Sequence, residues 1–148
     1  MEEGLIRKLF PEGFAPAEET AANYSPLVLA FLGDSVYELF VRTRLVQAGS
    51  RPVKTLHSDK VAFVKAEAQA FLARALQPEL TDAEKAVLKR GRNAHSHTVP
   101  KNASVDDYRH ATGFEALLGY LWLSGQHDRL LELTERGVQM LKEGRGET

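Results

Sequence analysis

The sequence predicts an all-α domain, and three features of the 148-residue chain support that class. Apolar residues recur at spacings of three and four over most of the length, which is the period of an amphipathic helix. Helix-start signals stand before these segments at Ser25-Pro26, Thr81 and Ser104. No segment alternates apolar and polar residues in the manner of a strand. The length suits one domain.

The first part of the chain is predicted to hold a short helix and then the longest one. Residues 1–24 are partly irregular, with a short helix near Gly4–Leu9. Ser25 suits an N-cap and Pro26 the first helical position, and Gly49 closes the helix that they open. Because this helix is apolar on nearly every side, we expect it to be the central one.

Two helices are expected in the middle of the chain. Apolar residues after Pro52 suit one long helix that ends near Gln77-Pro78. Thr81 and Glu84 then form a capping-box pattern, in which each side chain bonds the backbone N–H of the other residue. The helix that they open is expected to stop at Gly91.

A flexible loop and two more helices are predicted in the remaining chain. Residues 92–103 have almost no apolar side chains and should form the loop. Ser104 can cap a fourth helix that ends near Ser124. Gly125 separates it from a fifth helix, which ends at Gly144.

The composition excludes several kinds of site. The chain has no cysteine, so disulfides and thiolate metal sites are excluded, and a reducing compartment such as the cytoplasm is expected. The start of the sequence is acidic and no apolar run reaches about 18 residues, so neither a signal peptide nor a membrane span is expected.

Positive charge is concentrated in one segment, although the formal net charge is −1. The residues from 85 to 105 include no Asp or Glu, which predicts a local basic surface able to contact phosphates. A merely solvated helix face is the alternative. The cationic residues of this segment are Lys85, Lys89, Arg90, Arg92 and Lys101.

An acidic residue interrupts the apolar run from Leu27 to Val41. Asp34 follows Gly33 there, although Gly and Asp are both poor residues for a helix interior. Glu115 repeats the pattern, because it stands close after Gly113 among apolar residues. Burying a carboxylate is unfavourable unless a metal ion, a proton or a cation compensates its charge.

If the two helices pack together, their acids form a site made of oxygen ligands alone. Mg²⁺ prefers such ligands and usually takes one or two protein carboxylates. Glu38 lies four residues after Asp34 on the same helix face. The alternative is a buried ion pair, for which Arg42, Arg44 and Arg109 are the candidate partners. His95 and His97 have no third ligand nearby in the sequence, so solvated or phosphate-contacting histidines are favoured over zinc ligands.

Several blocks of the sequence resemble a known family. The residues 31–36, FLGDSV, resemble the signature of the ribonuclease III catalytic domain, and 113–119, GFEALLG, resemble its second acidic helix. With 90–94, RGRNA, and 98–102, TVPKN, the pattern is similar to Mini-ribonuclease III. The matching blocks lie within 25–125.

The resemblance implies a fold and an activity. It implies one ribonuclease III-type domain over residues 1–148, of about five to seven helices, which forms a homodimer and has no double-stranded-RNA-binding domain. The expected activity is Mg²⁺-dependent cleavage of double-stranded RNA to 5′-phosphates, with Mn²⁺ as a substitute, in the maturation of 23S ribosomal RNA precursor. A ribosomal protein is a further expected partner.

The resemblance also implies roles for residues. Asp34 and Glu115 would be catalytic metal ligands. From its position on the helix face of Ala30 and Asp34, we further expect Glu38 to contribute indirectly. We also expect Arg109, His95 and His97 to join the basic segment in binding RNA. The wider family has carboxylates where this chain has Ala30 and Thr112. That departure favours the alternative, a catalytically inactive dimer that binds RNA or the ribosome.

Overall fold

The computed structural model describes residues 3–11, 18–94 and 104–146, and in these ranges it contains helices and no strand. This confirms the all-α class. None of these helices is long and apolar enough to cross a membrane. The helices are α1 (Glu3–Leu9), α2 (Glu18–Ala22), α3 (Pro26–Gln47), α4 (Val53–Val64), α5 (Ala66–Leu76), the 3₁₀ helix η1 (Gln77–Glu79), α6 (Asp82–Asn93), α7 (Val105–Leu123) and α8 (His127–Gly144).

Helix α7 is the centre of the fold. Every α7 residue from Ala111 to Leu121 is buried except Glu115, and α3, α5 and α6 all pack against this helix. The prediction that α3 is central is wrong. The apolar residues of α3 lie on two faces of the helix, and only one of these faces packs on α7. The other face is exposed to solvent, where Phe31 is 81% exposed and Leu39 is 66% exposed.

The long helix predicted after Pro52 is two helices. Lys65 adopts an extended backbone conformation, with ψ at 155°, and separates α4 from α5. The Gln69 side-chain amide donates a hydrogen bond of 2.8 Å to the Val64 carbonyl, which is one of the carbonyls left free at the end of α4. This break lets α5 turn toward α7. Helix α2 also lies in the segment that the sequence predicts to be irregular.

The predicted helix starts are confirmed where a side chain makes the cap. The Ser104 hydroxyl accepts a hydrogen bond of 3.0 Å from the Asp107 backbone N–H. Thr81 and Glu84 form both bonds of the capping box. Ser25 stands before α3 as expected but makes no side-chain cap bond. Gly125 follows α7 with φ at 77°, the left-handed conformation that favours glycine.

Gly91 does not end α6, which continues to Asn93. A side chain at Gly91 would place its Cβ 2.8 Å from the Gly113 Cα and 2.8 Å from the Ala116 Cβ, so this glycine permits close packing of α6 on α7. Residues 92 and 93 of the predicted loop are therefore helical. The rest of that prediction, over 95–103, lies outside the described residues.

Candidate active site

Two glycines bring the backbones of α3 and α7 into contact. A Cβ at Gly33 would lie 1.7 Å from the Glu115 carbonyl oxygen, and one at Gly119 would lie 1.9 Å from the Leu29 carbonyl oxygen. No side chain could be accommodated at either position. The glycine beside Asp34 is thus explained by packing, and the contact it permits brings Asp34 and Glu115 together.

The Asp34 and Glu115 side chains meet at this crossing and form a hydrogen bond to each other. Asp34 is exposed, whereas Glu115 is partly buried between buried neighbours. Burial first, and then the charge and hydrogen bond of Asp34, raise the pKa of Glu115 to about 8. Without a bound cation, the Glu115 carboxyl group therefore carries a proton at neutral pH.

Gln69, on α5, is the third residue of this cluster. Its side-chain amide donates a hydrogen bond to the Glu115 carboxylate, and the residue is only 4% exposed. Our sequence reasoning missed it. The available signal was an uncharged polar residue at a position of α5 flanked by the buried Ala68 and Ala70.

Glu38 lies one turn after Asp34 and is paired with two cations. The Lys60 ammonium and the Arg42 Nε each lie 2.8 Å from its Oε1. Burial alone would raise the pKa of Glu38, but the hydrogen bonds and charges of Lys60 and Arg42 bring it below its usual value. Glu38 is therefore ionised and holds cationic side chains beside the acidic pair.

The donor set limits which cation the site can hold. Among the residues described, no three His, Cys, Asp or Glu side chains converge in the manner of a metal cage. Ala30 is buried without a donor, and the Thr112 hydroxyl donates its hydrogen, at 3.0 Å, to the Tyr108 carbonyl of its own helix. Two carboxylates that repel each other fit Mg²⁺, which fills its other positions with water and phosphate.

Two of the three predicted ion-pair partners of the acidic pair bond other acids. Arg42 bonds Glu38, and Arg44 bonds Glu135 on α8. Arg109 is exposed on α7. These positions favour an acidic site over a structural ion pair.

The basic residues of the sequence prediction fall into three groups. Lys85 and Lys89 are exposed on α6, and Arg92 is half-buried at its end. Arg90 is exposed too, but its guanidinium bonds the Ala22 and Tyr24 carbonyls and so joins α6 to the end of α2. The remaining predicted contacts, His95, His97 and Lys101, lie outside the described residues.

Comparison with known proteins identifies the family. A family model of the ribonuclease III domain matches residues 27–126, a range that contains both acidic residues. The chain belongs to the ribonuclease III family. It is accordingly an endoribonuclease, and the fold around Asp34 and Glu115 is that of a ribonuclease III domain.

Individual relatives give the same result over most of the chain. A Mini-ribonuclease 3 of Thermoanaerobacter sp. (strain X514) is 48% identical over 126 residues, which are 85% of this chain and 89% of the relative. A Mini-ribonuclease 3 of Gloeobacter violaceus is 54% identical over 102 residues, 69% of this chain and 73% of the relative. The crystal structure of a Fusobacterium nucleatum protein superposes with a TM-score of 0.72 at 30% identity, over 79% of this chain and 93% of that one. The chain is thus of the Mini-ribonuclease III type.

Proposed function

We propose that the protein is a Mg²⁺-dependent endoribonuclease that cleaves double-stranded RNA, and that its substrate is the precursor of 23S ribosomal RNA in the cytoplasm. The observation that carries the proposal is the Asp34–Glu115 pair. A backbone contact brings these two carboxylates together, and two of the cations that could have paired with them, Arg42 and Arg44, bond Glu38 and Glu135 instead. Such a pair can exchange its proton for a cation from outside the chain.

Asp34 and Glu115 would hold the cation, and Mn²⁺ can take the same ligands. A bound Mg²⁺ supplies charge neutralisation at a phosphodiester and lowers the pKa of water. The chain contributes position and charge. Glu115 would lose its proton to hold the cation, and Glu38 keeps Lys60 and Arg42 in ion pairs beside the two acids, where they would be available to a phosphate. The expected products carry a 5′-phosphate and a 3′-hydroxyl.

Exposed cations on α6 support an RNA-binding surface. Lys85, Lys89 and Arg90 are all exposed, but the guanidinium of Arg90 bonds the end of α2. Arg109 is exposed on α7. We propose that they bind the backbone of an A-form duplex together with Arg92, His95, His97 and Lys101. A duplex of this form is recognised by shape, phosphates and 2′-hydroxyls, so little base specificity is expected from these contacts.

The open face of α3 supports a homodimer. Leu27, Phe31 and Leu39 are spaced by multiples of four along one row of the helix, and all three are exposed. Ala30, Asp34 and Glu38 form a neighbouring row. A second copy that covers the apolar row would therefore lie next to the acidic pair, and a two-fold axis would provide one acidic site for each strand of a duplex.

The decisive experiment is a cleavage assay on a precursor duplex in Mg²⁺, in Mn²⁺ and in EDTA, with and without ribosomal proteins. Wild type should cleave only with a divalent cation, and Asp34→Asn and Glu115→Gln should abolish cleavage. Neither variant should lower the melting temperature, and both should sediment as dimers, like wild type. Glu143→Gln, on the exposed end of α8, is the matched control and should cleave normally.

The second candidate function is an inactive dimer that binds RNA or the ribosome. Ala30 and Thr112 favour it, because neither supplies a carboxylate. Salt-sensitive RNA binding without cleavage in either cation would establish this candidate. Large unfolding of both acidic variants would instead indicate that Asp34 and Glu115 have a structural role.

A further inference from the structure

Gln69 is a buried amide that contacts two different parts of the molecule. Its Nε2 donates to the Val64 carbonyl at 2.8 Å, and its amide also donates to the Glu115 carboxylate. The first bond lies across the break between α4 and α5, and the second reaches α7. One side chain therefore joins the α4–α5 junction to the acidic pair.

Capping the end of α4 accounts for only part of this arrangement. The Gln69 Oε1 is buried and has no hydrogen-bond partner among the described residues. A buried polar atom without a partner is destabilising, and an apolar side chain in a core position would avoid that loss. The unpaired oxygen belongs to the same amide group that donates to Glu115. It indicates that the amide serves the site and not the core alone.

The same junction controls the surroundings of both acids. Lys60, in the last turns of α4, bonds Glu38, while Gln69, in the first turns of α5, bonds Glu115. Because the chain breaks at Lys65, α4 can reach Glu38 and α5 can reach Glu115.

We propose that Gln69 is a positioning residue of the acidic site. Its N–H groups hold the Glu115 carboxylate against the α4–α5 junction, and its Oε1 accepts a hydrogen bond from a water molecule that enters the site with the divalent cation. This inference rests on the proposed function, and it adds a residue outside the two acidic helices to the machinery that holds the cation.

The test compares Gln69→Met with Thr134→Val. Met keeps the length of the side chain but has no amide, and Thr134 is a buried polar residue of α8 whose hydroxyl bonds only the Leu130 carbonyl of its own helix, at 2.7 Å. Mn²⁺ binding to the protein without RNA is measured by electron paramagnetic resonance, well below each melting temperature. Gln69→Met should bind Mn²⁺ about tenfold more weakly and lower kcat with little change in the KM for RNA, because partners of metal ligands act on the ligand. Thr134→Val should match wild type.

A second measurement uses wild type alone and does not depend on the folding of a variant. The side-chain amide ¹⁵N–¹H signals of Gln69 should shift as Mg²⁺ is added, while those of Gln126, which bonds Ser124 at 2.8 Å, should stay unchanged.

The outcomes separate the two proposals. Unchanged Mn²⁺ affinity in folded Gln69→Met, or a Gln69 amide signal that does not shift with Mg²⁺, overturns the positioning role. Cleavage by wild type would still support the proposed function in that case. If wild type neither binds Mn²⁺ nor cleaves RNA, the proposed function fails and this inference fails with it.

Discussion

Glu84 and Glu115 are two glutamates in opposite electrostatic surroundings. Glu84 is 3% exposed, and Arg129 bonds both of its carboxylate oxygens, at 2.8 and 2.9 Å. The Thr81 N–H adds a bond of 2.9 Å. Although burial acts to raise the pKa of Glu84, these bonds bring it below its usual value. Glu115 faces Asp34, and its pKa rises to about 8.

The difference separates a structural acid from a candidate for the functional site. Glu84 is compensated within the chain, so its ion pair joins α6 to α8 and leaves nothing for a ligand. Glu115 is placed against another acid by a backbone contact that excludes every side chain but glycine. An acid that folding leaves uncompensated is a candidate for binding a cation from solution.

Gly33→Ala should have the largest effect, because it breaks the crossing that creates the Glu115 environment and leaves Glu84 untouched. The new Cβ would meet a backbone carbonyl, which cannot move aside as a side chain can. We expect the free energy of unfolding to fall by about 3 kcal/mol or more in a urea titration. Gly4→Ala on α1, where a Cβ meets nothing within 4 Å, is the control and should change stability by less than about 1 kcal/mol. Equal midpoints for both variants would contradict the close crossing.

Glu84→Gln should come next in effect on stability. It removes the ion pair with Arg129, which keeps only its contacts with Glu132 and the Glu79 carbonyl. We expect a loss of about 2–3 kcal/mol, below that of a fully buried pair because Arg129 is partly exposed and keeps a second acid. Glu115→Gln should cause no comparable loss. The double variant Glu84→Gln/Arg129→Met should regain part of the stability in the same urea titration. A further loss in the double variant would show that the broken ion pair does not cause the destabilisation of Glu84→Gln.

The two acids should also give opposite pH dependence in EDTA. The folded-state pKa of Glu115 is about 8 against an ordinary 4.5, so its contribution to stability is complete below about pH 4.5 and is lost as the pH rises to about 8. Glu84 contributes above its unfolded pKa, and this is lost as the pH falls through its lowered value. Between pH 5 and 8, Glu115→Gln should remove a decline of about 2 kcal/mol, allowing for solvent screening. The measurement is the free energy of unfolding of wild type and of Glu115→Gln across this pH range. Parallel curves for the two proteins would contradict the raised pKa of Glu115.

Glu38→Gln should have the smallest effect. It releases Lys60 and Arg42 beside the acidic pair without removing a predicted direct ligand. We expect the Mg²⁺ midpoint of cleavage to shift by about twofold to threefold, in keeping with the small energies of partly exposed ion pairs. Glu135→Gln, which breaks the exposed pair with Arg44, is the control. An unchanged Mg²⁺ titration would remove Glu38 from the site.

Local signals explain what could be predicted in advance. Thr81 and Ser104 cap their helices through bonds to residues three positions away, so the sequence alone shows them. Asp34 and Glu115 stand out because an acid near glycine conflicts with an apolar helix. The break at Lys65 has no such signal, since neither Gly nor Pro stands there and the apolar spacing continues across it.

The sequence by itself determined the helical class, most helix ends and the two acids, because caps, periodicity and charge act over a few neighbouring residues. Only the tertiary structure decided that α7 and not α3 is central, that Gly33 and Gly119 join the helices, and that Gln69 reaches Glu115. These features depend on contacts between residues that are far apart in the chain. Spacing along one helix gives the face on which a side chain lies, but not the partner that the face meets.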